Sequence, residues 1–252
     1  MIRLKNAAEV SKIRDASAIL AETLQELSGL VQDGVSTLEL DEFARDRIRS
    51  RGGEPAFLGY NRFPASLCVS INEQVIHGIP GKRRLRTGDI VGLDIGINLQ
   101  GYFSDTAITL PVGPVSARRA RLLAVTRECL ALGVQAANAG SRISQISTAV
   151  HEHARASSFE VVRQFCGHGV GFALHEEPQI PNYISSGPNP RLKPGMVLAL
   201  EPMVNAGTWE VEILEDDWTV VTADGGDSAH FEHTIVIHKD RTEVLTRSEL
   251  LP

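Results

Sequence analysis

Cysteine is scarce in this chain: Cys68, Cys129 and Cys166 are all that 252 residues hold. Three scattered thiols cannot build a disulfide framework or a zinc finger. An excess of positive charge is missing too. Net charge is −6 and the pI about 5.8, which argues against a protein held to DNA or RNA by a broad basic face. No apolar run approaches the ~18–20 residues that would cross a bilayer, so no membrane span is expected. The first residues, MIRLKNAAEVSKIRDA, lack a signal-peptide core, and a cytoplasmic location is the expectation. No linker-like stretch divides the chain. What remains is 42% apolar and 22% charged, the composition of an ordinary globular protein with a sizeable core.

Two helices are expected in the first 50 residues. Asn6 with Glu9, and Ser36 with Glu39, have the spacing of capping boxes, each ahead of apolar residues at helical intervals. The period then changes. Strands are expected over 66–71, 89–97 and 101–110, helices over 116–139 and 143–157, and strands again over 195–203, 218–223 and 229–237. Helices alternating with strand pairs indicate an α+β fold in a single domain spanning 1–252, with no separate N-terminal extension. One internal echo stands out. Gly88 to Asp94 (GDIVGLD) resembles Gly195 to Glu201 (GMVLALE), and each follows a His-Gly pair, His77-Gly78 or His168-Gly169. Two related halves, each delivering a carboxylate on an apolar strand, account for it.

The chemistry-bearing residues are carboxylates on apolar strands. A two- or four-residue turn centred on Leu99-Gln100 sets Asp94 directly opposite Asp105, with Cβ atoms ~4.5–5.5 Å apart. Two buried carboxylates so placed call for a cation; the alternative is a solvated pair on an exposed sheet face. Glu201 and Glu232 raise the same problem, because a lone carboxylate is costly to bury. Two divalent cations would neutralise all four. His168, between Gly167 and Gly169, can approach a metal or a backbone; His175 follows seven residues later ahead of Glu176-Glu177-Pro178, and His77 stands in Ile76-His77-Gly78-Ile79-Pro80. An oxygen-rich site with one or two imidazoles favours Mn, Fe or Co and also accommodates Zn.

These stretches, in this order and spacing, resemble type I methionine aminopeptidase. They are Asn72 to Pro80, Gly88 to Asp94, Gly101 to Thr106, Cys166 to Pro178, Ala199 to Met203 and Ser228 to Thr234. The resemblance implies a pita-bread fold, a pseudo-twofold antiparallel β-sheet backed by helices. It implies two divalent ions, with Asp94 on one, His168 and Glu201 on the other, and Asp105 and Glu232 bridging. A hydroxide between the ions would attack the first peptide carbonyl. Glu201 would also shuttle the proton, His175 would bind the carbonyl oxygen, and His77 would contact substrate near the scissile nitrogen. The pocket for the terminal Met would be built from Phe57, Tyr60, Phe63, Cys68, His77 and Trp218. The implied partners are N-termini of nascent polypeptides, with the ribosome as a place of encounter, and the chain is expected to act as a monomer.

Some positions depart from the family pattern. Phe57 stands where a small residue is common, Phe103 where a polar one is, Ser104 for Gly, and His230 for a frequent Gln. None removes a metal ligand, but Phe57 should narrow the Met pocket. The rival readings are an X-Pro aminopeptidase or dipeptidase on the same fold, and a non-catalytic peptide-binding relative. The first usually carries a long N-terminal domain, and the second loses metal ligands. Three other features are discounted: the basic run Gly81 to Arg86 as a solvated loop, His151 and His153 as surface residues on different helix faces, and Glu215-Asp216-Asp217 as an acidic turn. Cys166 beside His168 suggests a thiol nucleophile, but four carboxylates have no role in that chemistry.

Overall fold

Both capping boxes form. The Asn6 side chain accepts from the N–H groups of Ala8 and Glu9, and Glu9 reaches back to the Asn6 N–H, opening α1 (Ala7–Ser28). Ser36 and Glu39 do the same for α2 (Thr37–Ser50). Each box satisfies helix-end donors that would otherwise be orphaned. The remaining helices are α3 (Ala117–Ala136) and α4 (Ile143–Ala156). These come from a computed structural model that describes residues 1–251.

The first half contributes β1 (Glu54–Pro55), β2 (Leu67–Ile71), β3 (Gln74–Ile76), β4 (Ile90–Leu99) and β5 (Tyr102–Pro111). The second contributes β6 (Glu160–Val161), β7 (Cys166–Gly169), β8 (Glu176–Pro181), β9 (Val197–Leu200), β10 (Met203–Asn205), β11 (Val211–Ile213), β12 (Val220–Thr222), β13 (Ser228–His230), β14 (His233–Ile237) and β15 (Thr242–Val244). Every pairing among them is antiparallel. β4 lies between β5 on one edge and β1 with β2 on the other. β9 lies between β14 and β7 in the order β15-β14-β9-β7-β8. The echo is therefore real in space: Gly88 and Gly195, both at positive φ, open the central strands of the two halves. The Glu232 N–H donates to the Ala107 carbonyl at 2.9 Å and joins β5 to the start of β14. Helices α1 and α2 cover the first half, and α3 and α4 the second. This is the α+β pita-bread plan, with the carboxylate strands in the middle.

Two expectations need correction. The β4–β5 hairpin turns at Gln100 and Gly101, both at positive φ (54° and 86°), so Leu99 opposes Tyr102. The turn needs left-handed backbone at both central residues, and Gly101 supplies the second without steric cost. Asp105 consequently faces Gly96, and Asp94 faces Ala107. The two carboxylates are diagonal neighbours on one face, not directly opposed. The expected strands 195–203 and 229–237 are also each broken in two. Pro202 has no N–H to continue the ladder. Its chain leaves the five-stranded sheet after Leu200 and re-enters another as β10, which pairs with β13 while β9 pairs with β14. Glu201 and Glu232 sit at this shared corner.

Candidate metal centre

Asp105 and Glu232 are held side by side by the seam between the half-sheets. Thr106 Oγ1 donates to the Glu232 carbonyl at 2.8 Å, beside the Glu232–Ala107 bridge. His168 projects from the middle of β7. Its glycine neighbours serve the strands rather than the imidazole. A Cβ on Gly167 would lie 2.5 Å from the Ala199 carbonyl oxygen, and one on Gly169 would lie 2.3 Å from that of Glu177. Only glycine lets β7 fit between β9 and β8. His168 Nδ1 donates to the Gly169 carbonyl at 2.9 Å, which leaves Nε2 as the basic nitrogen. That nitrogen faces Glu201 Oε1 at 3.5 Å and Asp105 Oδ2 at 4.0 Å.

Ligand atoms of Asp105, His168 and Glu232 lie within 4.8 Å of one another, and all three residues are buried. Asp94 Oδ1 and Asp105 Oδ1 are enclosed without a hydrogen-bond partner. Burial pushes the Asp94 carboxyl up to about 7. Burial, then the facing carboxylates, holds Asp105, Glu201 and Glu232 well above the usual carboxylate range. Burial likewise pushes His168 down to about 3, so its imidazole is neutral and able to ligate. Orphaned carboxylate oxygens, crowded like charges and a neutral imidazole make a donor set that fits divalent cations.

Beside these groups opens a cavity of about 320 Å³, and all twelve residues expected from the sequence line it. Phe57, Phe63, Cys68 and Leu174 form its apolar end, with Trp218 packed against them. The Phe63 and Trp218 rings meet edge-on at 5.0 Å. Phe57 lies over Gly96, where a Cβ would come within 2.7 Å of its ring. His77 sits at positive φ (58°) at the end of β3, its ring edge-on to Trp218 and pushed down to about 4 by burial. His175 is exposed; its Nδ1 lies 2.9 Å from the Tyr60 hydroxyl and its ring 4.2 Å from that of His168.

Three residues near the site had no assigned role. Leu174 and Asn61 line the cavity. Asn61 stands at φ 46°, a conformation that asparagine tolerates better than most residues, and the sequence Gly59-Tyr60-Asn61 is its only signal. His230 is buried with Nε2 3.9 Å from Glu201 Oε2; its departure from the family pattern was the signal. Cys166 does not line the cavity, and burial with the nearby Glu201 charge pushes its thiol up to about 11, which opposes a nucleophilic role. The acidic turn is confirmed, with Asp216 capping Trp218 and Thr219. His151 and His153 are both half-buried rather than on the surface, because α4 packs against the sheets, and His153 meets Glu128 at 2.7 Å. Among the described residues, no helix is long and apolar enough to cross a membrane.

Comparison with known proteins agrees with this geometry. Residues 11–239 match the model of metallopeptidase family M24. Methionine aminopeptidase 1 of Bacillus subtilis is 51% identical over 247 residues, covering 98% of this chain and all of that one. The methionine aminopeptidase of Treponema pallidum is also 51% identical, covering 98% of this chain and 96% of its own. The crystal structure of the Thermotoga maritima methionine aminopeptidase superposes with a TM-score of 0.96 at 40% identity, covering 98% of this chain and all of that one. A prolidase from Pyrococcus furiosus shares the fold at a TM-score of 0.79 and 21% identity, but this chain spans only 66% of it. By its fold, by its gathered carboxylates and by these matches, the chain belongs to metallopeptidase family M24, among the methionine aminopeptidases.

Proposed function

We propose that this enzyme removes the initiator Met from nascent polypeptides, preferring a small second residue, and that it works with two divalent ions in the cytoplasm as a single catalytic domain. The observation that carries this reading is the convergence of Asp94, Asp105, His168, Glu201 and Glu232 with an aromatic slot on one cavity. Asp94 would hold one ion, His168 and Glu201 the other, with Asp105 and Glu232 shared. When bound, the ions would supply activated water and polarise the peptide carbonyl. Mn, Fe or Co suits the oxygen-rich set, and Zn is accommodated.

The chain's own groups would do the rest. Glu201 would accept the proton released by the water and return it to the leaving nitrogen. His175, standing between Tyr60 and His168, would donate to the carbonyl oxygen as charge develops there. His77, close to Trp218, would contact the scissile nitrogen. Met is unbranched, and its sulfur suits ring edges such as those of Phe57, Phe63 and Trp218. The X-Pro reading draws only on likeness of fold.

Incubating the protein with Met-Ala-Ser and with Ala-Pro-Ala, in Mn²⁺ or Co²⁺, tests the proposal. Release of Met from the first alone is expected. Cleavage of only the second would reverse the assignment.

A further inference from the structure

The segment before α1 contains a charge that ought to be in water. Lys5 Nζ lies 2.7 Å from Glu176 Oε2, and the two side chains are only 1% and 6% exposed. A buried ion pair is a weak source of stability, because desolvating both charges offsets most of their attraction. Its geometry is more informative. The other Glu176 oxygen accepts the Phe172 N–H at 2.6 Å and the Ala173 N–H at 3.1 Å. The Lys5 N–H donates to the Gly195 carbonyl at 2.7 Å, so the lysine backbone is itself anchored to the turn that opens β9. Arg3 stacks over the Phe172 ring at 4.1 Å, and Lys5 Nζ stands 5.1 Å from its centroid. A Cβ on Gly171, at φ 137°, would lie 2.8 Å from Lys5 Cε.

This segment therefore clamps the loop 171–175 from behind, and the loop ends in His175. The His175 ring has one hydrogen bond of its own, to Tyr60. Its place is set chiefly by the backbone that Glu176 and Lys5 hold.

We propose that Lys5 is a positioning residue for His175. Its buried pair with Glu176 fixes the loop so that the imidazole stands where the substrate carbonyl will lie. The inference rests on the assignment of His175 to that carbonyl. Misplacing a reacting group by about 1 Å can cost ~10²-fold in rate, so losing the clamp without losing the histidine should cost about 10-fold.

The test is a cycle of Lys5→Met, His175→Ala and the double variant, assayed on Met-Ala-Ser with Mn²⁺, with metal content measured for each. Lys5→Met should lower kcat about 10-fold, leave KM within about twofold and bind its metal normally. His175→Ala should lose ~10²–10³ in kcat. The double variant should be no slower than His175→Ala, because the loop then has nothing to position. Multiplying losses, or full kcat in Lys5→Met, would overturn the positioning role while leaving the His175 assignment intact. Full kcat in His175→Ala would overturn both. If Lys5→Met does not fold, Lys5→Met with Glu176→Gln takes its place. That pair buries no lone charge, keeps an oxygen for the Phe172 and Ala173 N–H groups, and carries the same expectations.

Discussion

The Thr234 hydroxyl accepts the backbone N–H of Asp105 at 3.1 Å and donates to the carbonyl of the same residue at 2.7 Å. A side chain of β14 thus occupies both backbone groups of a residue on β5, at the seam where the half-sheets meet. Ser104, which departs from the family's Gly, joins the same network through Thr234 and Ser17. Replacing Thr234 with Val keeps the shape and leaves the Asp105 N–H buried without an acceptor. The expected cost is ~1–3 kcal/mol of stability, with metal affinity falling ~10–100-fold because the ligand beside it loosens. Urea denaturation and metal titration measure the two effects, and unchanged affinity would mean that the seam does not orient Asp105.

Metal removal should abolish activity, and a divalent ion should restore it. It should also make stability depend on pH. The site carboxyls are raised in the fold, so the folded metal-free protein binds more protons than the unfolded chain. Stability contributed in this way is lost as pH rises through the folded values. The lowered histidines act in the opposite sense, but only below their ordinary value of about 6.5. Between pH 7 and 8.5 the histidines no longer contribute, the raised thiols act in the same direction as the carboxyls, and Tm of the metal-free protein should fall. Adding Mn²⁺ at pH 8.5 should raise it and release protons. A Tm that climbs across this window without metal would contradict the buried-carboxylate account.

His77→Ala should keep its metals and lose mainly in kcat/KM, since the ring touches Trp218 and Phe165 rather than the ligand cluster. Elemental analysis beside steady-state kinetics separates the two outcomes. A metal-poor His77→Ala would place that ring among the ligands.

Phe57 fills space at the apolar end of the cavity by resting on Gly96. Phe57→Cys should therefore leave Met preferred and raise kcat/KM modestly, because Phe63, Cys68, Leu174 and Trp218 still form the slot. One methylene in such a pocket is worth only ~1–3 kcal/mol, so shape decides selectivity as much as burial. Selectivity for the second residue should not change. Competition between Met-Ala-Ser and Ala-Ala-Ser reads the preference, and a wild-type enzyme that favours the Ala peptide would show the pocket too short for Met.

Local patterns were readable without coordinates because they depend on neighbours in the chain. Asn6 with Glu9 and Ser36 with Glu39 cap helices through groups three residues apart. Gly88 and Gly195 open apolar strands whose carboxylates could be recognised as misplaced unless shared. Apart from Asn61 and Leu174, the residues of the cavity were named from the sequence, the carboxylates and histidines by their setting and the aromatic slot by resemblance, and the fold brought them together. Other features depend on groups far apart in the chain. The register of Asp94 and Asp105 hung on which two residues formed the turn, and a shift by one position at Gln100–Gly101 moved the pair from opposed to diagonal. The corner at Glu201 and Glu232 exists because β9 and β10 join different sheets. Nothing in the sequence around Lys5 singles it out. It becomes a buried partner of Glu176, 171 residues away, only when the second half folds back over the first helix. Hydrogen bonds and ion pairs between distant segments carry no local period, and tertiary packing alone decided them.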